Sequence, residues 1–283
     1  LFAALRDHKS FAEGGFTPWA KFEAHLKVPG VVKYDEFFNS PETDGFVGRE
    51  WLLKKCKSWV MDDSINQRLF VIYGDAGTGK TAFVRHLAQD QQLVRSVHIC
   101  IYDRTSTRTA KDTLKDLSYV LAHRNESYYQ ALKNKNLEEI QNMSEDALFE
   151  FLFLDPLKTE KDKYLLIIDG LDEMELNSGL DALMRIFRQF SDRINPNISF
   201  LITTRPDEHI THHLNKIGKG CPLVSATLNK ESSQADLLTY IRHKLSQTNA
   251  SSDALEEKIL DASDGNFAYL DLLFKEAQES GAQ

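Results

Sequence analysis

The chain has 283 residues, 42% hydrophobic and 27% charged, enough for one large or two modest domains of ordinary soluble composition. A net charge of −8 with a pI near 5.6 argues against a surface built to grip nucleic acid through its phosphates. No apolar run approaches the ~20 residues of a membrane-spanning helix, and three widely spaced cysteines, Cys56, Cys100 and Cys221, read as free thiols of a reducing cytosol.

The chain opens on Leu1 without a methionine or a signal peptide, as expected of a piece cut from a longer protein. Gly14-Gly15 breaks any early helix, and Phe16, Trp19, Phe22 and Leu26 are spaced for a short amphipathic helix over 18–27. Its aromatic residues are expected to pack on the main domain. Pro29-Gly30 ends it, and the turn-rich Pro41 to Gly45 marks a junction. After Phe46-Val-Gly-Arg-Glu50, Leu52, Cys56 and Trp59 share a helical face, with Lys54, Lys55 and Lys57 on a solvated one.

Leu69 to Tyr73 is continuously apolar, as a strand buried on both faces should be, and Ala82 to Ala88 follows as a helix. Val97 to Tyr102 reads as a second strand, Asp103 to Thr109 as a polar loop, and Leu114, Leu117 and Leu121 as a helix stripe. Residues 124–145 are polar and expected at the surface. Ala147 to Leu154 reads as a helix stopped by Pro156. Tyr164 to Ile168 is another apolar strand. Ala182 to Phe190 is helical, Ile198 to Thr203 a strand, His209 to Ile217 a helix and Leu223 to Leu228 a last strand. Beyond residue 229 only helices are expected, with stripes at Leu238, Ile241 and Leu245 and at Leu255, Ile259 and Ala262. Gly265 sits at a helix C′ position, and Asn266 caps a final helix carrying Phe267, Leu270 and Phe274. The expected architecture is α/β: a parallel sheet with helices on both faces, then a small all-helical subdomain. The boundaries drawn are a flanking segment over 1–45, the sheet domain over 46–228 and the helical subdomain over 229–283.

Between the first strand and its helix stands Gly74-Asp75-Ala76-Gly77-Thr78-Gly79-Lys80-Thr81, a G-x-x-x-x-G-K-T loop. Its glycines let backbone N–H groups turn inward around a polyphosphate, and the helix N-terminus adds free donors. Lys80 is placed to reach the β- and γ-phosphates and Thr81 to offer its hydroxyl to Mg²⁺. The apolar strand 164–168 ends in Asp169-Gly-Leu-Asp172-Glu173, and ligands of open parallel sheets bind at such strand tips. Asp169 is read as a Mg²⁺ ligand, Glu173 as the base acting on the attacking water and Asp172 as its polarising partner. Arg205, just past the strand 198–203, is placed to sense the γ-phosphate. His209, His212 and His213 have spacing that permits a metal site, but no carboxylate or cysteine is in register, and an exposed polar face is the simpler reading.

Four motifs thus stand in order: Phe46-Val-Gly-Arg-Glu50, Gly74 to Thr81, Leu165 to Glu173 and Thr203-Thr-Arg-Pro206. This order resembles a NACHT-type nucleotide-binding module of the STAND class of signal-transduction NTPases. Asp264-Gly-Asn-Phe-Ala-Tyr269 resembles the Gly-Asn-Phe segment of the helical lid in those proteins, so the likeness covers about residues 46–280. It implies that Val47, Gly48 and Arg49 lie near adenine and ribose, and that the ligand is ATP or ADP with Mg²⁺. It also implies a cytoplasmic switch that oligomerises on activation, with sensor and effector domains outside this chain, in innate immunity or antiviral defence. The family's winged-helix domain has no counterpart before the chain stops.

The expected function is therefore an ATP/ADP-binding, Mg²⁺-dependent switch with slow hydrolysis. The rivals are an AAA+-type ATPase working on DNA or protein, against which the acidic balance weighs, and a scaffold that binds nucleotide without turning it over.

Overall fold

The computed structural model describes residues 18–31, 46–65, 68–217, 223–247 and 253–281. The expectations placed on Gly14-Gly15, Phe16, the Pro41 to Gly45 junction and Cys221 lie outside these residues.

Five parallel strands form the sheet: β1 (Leu69–Gly74), β2 (Val94–Ile99), β3 (Tyr164–Asp169), β4 (Ile198–Thr204) and β5 (Val224–Leu228), in the spatial order β2-β3-β4-β1-β5. The apolar runs at β1, β3 and β4 are continuous because alternate residues enter two different cores. Leu69, Val71, Leu166, Ile168, Phe200 and Ile202 join one. Phe70, Ile72, Leu165, Ile167 and Leu201 join the other.

The first core is closed by α1 (Pro18–Leu26), α4 (Ala110–Arg124), α5 (Glu126–Leu132), α6 (Glu145–Phe149), α7 (Ala182–Phe190) and α8 (Glu208–Ile217). The second is closed by α2 (Glu50–Met61) and α3 (Lys80–Ala88). Leu52, Cys56 and Trp59 of α2 are all buried there. From α1, Phe22 and Leu26 enter the first core, and Trp19 stacks on His123 and Tyr129 at ring separations of 4.1 and 5.0 Å. The helices α9 (Lys230–Ser246), α10 (Asp253–Ser263) and α11 (Phe267–Gly281) build a separate small core.

Four expectations change. The second strand starts at Val94 and ends at Ile99, not at 97–102. Arg95 and Ser96 disguise its start. The buried Ser96 and His98 are satisfied by α4: Ser96 Oγ donates to the Leu117 carbonyl (2.9 Å) and His98 Nδ1 meets Asp116 Oδ2 at 2.6 Å. Past Cys100 the chain turns, with Arg104 N–H on the Ile101 carbonyl.

Residues 124–145 are not simply surface. Tyr128, Leu132, Leu137 and Ile140 are buried on α5 and the 3₁₀ segment Leu137–Asn142.

Pro156 does not stop the helix. α6 runs on through a π segment, Glu150–Leu154, to Leu157. Proline's missing N–H leaves one carbonyl of the preceding turn without a donor, at 152 or 151 by the α or π register, and side chains reach both: Tyr128 Oη donates to Leu152 O (2.8 Å) and Lys135 Nζ to Phe151 O (3.0 Å). In α9 the buried stripe is Leu237, Tyr240, Ile241 and Leu245, with Leu238 half-buried beside it.

Candidate functional site

Strand parity assembles the site. On β3, Asp169 follows Leu165 and Ile167 and so faces α3; on β4, Thr203 follows Leu201 and faces the same way. Because β4 lies between β1 and β3, Thr203 stands between the phosphate loop and Asp169. Its Oγ1 donates to Asp169 Oδ1 (2.5 Å) and accepts from Gly170 N (2.9 Å). The Thr81 hydroxyl, in the first turn of α3, lies close enough to favour the charged form of Asp169. Burial pushes the Asp169 carboxyl up, against the pull of the Thr203 and Thr81 hydroxyls and of Lys80.

The loop between β1 and α3 turns twice through left-handed glycines, Gly77 (φ +78°) and Gly79 (φ +84°), a conformation side chains rarely adopt. Lys80 Nζ donates to the carbonyls of Gly74 (2.6 Å) and Asp75 (2.9 Å). Its ammonium is held below its ordinary range by burial, opposed by the nearby carboxylates of Asp172 and Asp169. Thr78 Oγ1 donates to Asp75 O (2.8 Å), closing the turn, while Ala76 is part of its tip.

The acidic turn continues as a 3₁₀ segment, Leu171–Glu173. Its two acids go different ways. Asp172 receives Arg205 twice, Nε on Oδ2 (3.0 Å) and N–H on Oδ1 (3.0 Å). Glu173 Oε2 accepts the Tyr102 N–H (2.8 Å), and the Glu173 carbonyl accepts Arg108 Nε (3.0 Å). Lys80, Thr81, Asp169, Asp172 and Arg205 are thus brought to one end of the sheet, with Glu173 beside them.

Val47, Gly48 and Arg49 lie where α2 begins, against helices α9 and α11. Val47 packs on the core of those C-terminal helices. Gly48 has φ +86°, and a Cβ there would meet Asp236 Oδ1 at 2.9 Å. Arg49 is 2% exposed and adopts φ 65°. Its Nη2 donates to the Thr78 carbonyl (2.9 Å), its Nη1 lies 3.3 Å from Asp236 Oδ2, and its guanidinium covers the Phe267 ring at 5.1 Å. Burial lowers its pKa, against the raising influence of Asp236.

Residues given no site role in the sequence join the site. Thr203 orients Asp169. Asp236 holds Arg49 N–H (2.8 Å) and Trp51 Nε1 (3.1 Å) as well as the guanidinium. The N-terminus of α11 reaches the phosphate loop: Phe267 N–H donates to Gly77 O (2.8 Å), and a Cβ on Gly77 would strike Asn266 Oδ1 at 2.2 Å. The Thr203-Thr-Arg-Pro motif pointed to the first and the Gly265-Asn-Phe segment to the last. Asp236 had no signal, because finding it required knowing which helix returns over which loop.

The histidine reading changes too. A carboxylate does stand by His209 and His213: Asp181, at the end of the π segment Leu176–Asp181. It comes from 28 residues upstream of His209, so spacing along α8 could not reveal it.

A glycine-turned loop at one strand tip and a buried carboxylate two strands away, in a parallel sheet covered on both faces, define a P-loop NTPase fold. Residues 48–205 match the family described as nephrocystin 3, N-terminal, and the chain belongs to that family. No curated protein matches it. Among solved structures, the Walker-type ATPase PABY2304 of Pyrococcus abyssi is similar with a TM-score of 0.56 at 15% identity, over 83% of this chain and 68% of that one. Cdc6p from Pyrobaculum aerophilum gives 0.46 at 15% identity, over 75% and 53%. No helix among the described residues is long and apolar enough to cross a membrane.

Proposed function

We propose that this chain is the ATP/ADP-binding switch module of a NACHT-like STAND signalling NTPase, with slow Mg²⁺-dependent hydrolysis governing self-association of a larger immune or defence receptor. The observation that carries the reading is the convergence of Lys80, Thr81, Asp169, Asp172 and Arg205 at one end of the sheet. A triphosphate has both a backbone cradle and a fixed cation there.

The inward N–H groups of 74–81 bind phosphate oxygens, and Lys80 exchanges its carbonyl partners for them. For a hard divalent cation the donor set fits, because Asp169 is a buried carboxylate with the Thr81 hydroxyl against it. Bound Mg²⁺ would neutralise phosphate charge. Thr203 keeps Asp169 in one orientation for that task. Glu173, fixed by the Tyr102 N–H, is the group to take a proton from the attacking water. Asp172 is less suited, since its carboxylate is committed to Arg205. That pair in turn holds Arg205 at the crevice, where its guanidinium exchanges carboxylate for γ-phosphate.

Arg49, Asp236, Phe267 and Asn266 link the lid helices to the loop, which supports a switch whose lid position depends on the nucleotide. The experiment is equilibrium binding of ATP and ADP with the Lys80→Ala variant. Affinity is expected to fall on the order of a hundredfold, the loss of charge-assisted contacts of about 3 kcal/mol. Unchanged affinity removes the reading.

A further inference from the structure

The histidines of α8 lie outside the nucleotide site. His209 and His213 are four residues apart and so lie on one face of the helix, their rings edge-to-face at 4.6 Å. Both aim Nε2 at one atom: Asp181 Oδ1 is 3.0 Å from that of His209 and 3.2 Å from that of His213. The three ligand atoms all lie within 4.8 Å of one another.

In a tetrahedral site with bonds of about 2.0–2.1 Å, neighbouring ligand atoms stand roughly 3.3–3.4 Å apart. The two separations from Asp181 Oδ1, 3.0 and 3.2 Å, are already within a few tenths of an ångström of that spacing, and the two imidazole nitrogens stand within 4.8 Å of each other. The cluster is also open on one side, with His209 43% and Asp181 34% exposed, so solvent can supply a further ligand. His212 turns its ring away, 6.1 Å from that of His213, and is not part of the group.

We propose that Asp181, His209 and His213 form a transition-metal site whose fitting occupant is Zn²⁺. Two imidazole nitrogens and one carboxylate oxygen suit Zn²⁺ and discriminate against Mg²⁺, which takes an all-oxygen shell. The site would brace two segments of the chain. Asp181 ends the segment that begins at the acidic turn, and α8 begins three residues after Arg205. Those two segments are already joined at one end by the Asp172–Arg205 pair. Metal would join them at the other, holding Arg205 in register with Asp172.

The test is titration of the chelator-treated full chain with Co²⁺, read by its visible d–d absorption, and with Zn²⁺, read by calorimetry. The expected result is one ion per chain, with the intense bands of a four-coordinate Co²⁺ centre. Asp181→Asn and His213→Gln should each weaken binding by more than about tenfold, the least that disturbing a metal's supporting shell costs. His212→Gln should leave it unchanged. Lys80→Ala should also leave it unchanged, which separates this site from the fate of the nucleotide reading. Circular dichroism checks that each variant is folded. Absence of one-to-one binding, or binding that survives Asp181→Asn combined with His213→Gln, overturns the proposal.

Discussion

At Glu173 and Asp172, neighbouring acids with the same chemistry are given different work by what they touch. Asp172 is neutralised by Arg205, while Glu173 is oriented by a single backbone N–H and keeps an oxygen for a proton. Glu173→Gln preserves size and the Tyr102 contact but cannot accept that proton. Single-turnover ATP hydrolysis is expected to slow by about a hundredfold or more, with ATP affinity retained. Unimpaired hydrolysis in this variant would move the base elsewhere, with Asp172 the first alternative.

Between elements, the most consequential polar contact is the one by which α4 holds β2. His98 is fully buried, with Nδ1 on Asp116 and Nε2 at 3.0 Å from the Thr107 carbonyl. Burial alone would lower its pKa, but the hydrogen bond and charge of Asp116 outweigh it and hold the imidazole well above its ordinary 6.5. A histidine raised on folding adds stability that is complete below 6.5 and is lost as pH climbs through the folded value. Urea unfolding across that range should therefore show stability declining toward alkaline pH. Asp116→Asn should cost about 3 kcal/mol at pH 6 and flatten the decline. β2 begins three residues before the apolar pattern indicates, because Arg95 and Ser96 interrupt the run and the serine's partner comes from α4.

On the scale of the whole molecule, the C-terminal helices and the sheet domain are joined through Arg49. Its side chain spans from the Thr78 carbonyl to Asp236 of α9 and lies on the Phe267 ring of α11. Asp236→Ala would leave that guanidinium buried without its counter-charge, a loss of about 3–5 kcal/mol. Denaturant unfolding should report that loss. Amide exchange should quicken first at the start of α11, where Phe267 N–H bonds Gly77 O. Exchange unchanged there would mean that the lid is held by its own core rather than through Arg49.

The strand–loop–helix around Lys80, the acidic tip of β3 and the alternation of strands with helices were legible in the amino-acid order, because apolar runs, glycine turns and caps are local patterns. What local pattern cannot carry is which distant groups meet. Strand order set Thr203 beside Asp169, the return of α9 and α11 over the loop set Asp236 and Asn266 against Arg49 and Gly77, and the fold of 176–181 set Asp181 between two histidines. Each of these is a contact between residues far apart in the chain, so only packing of the whole decides it.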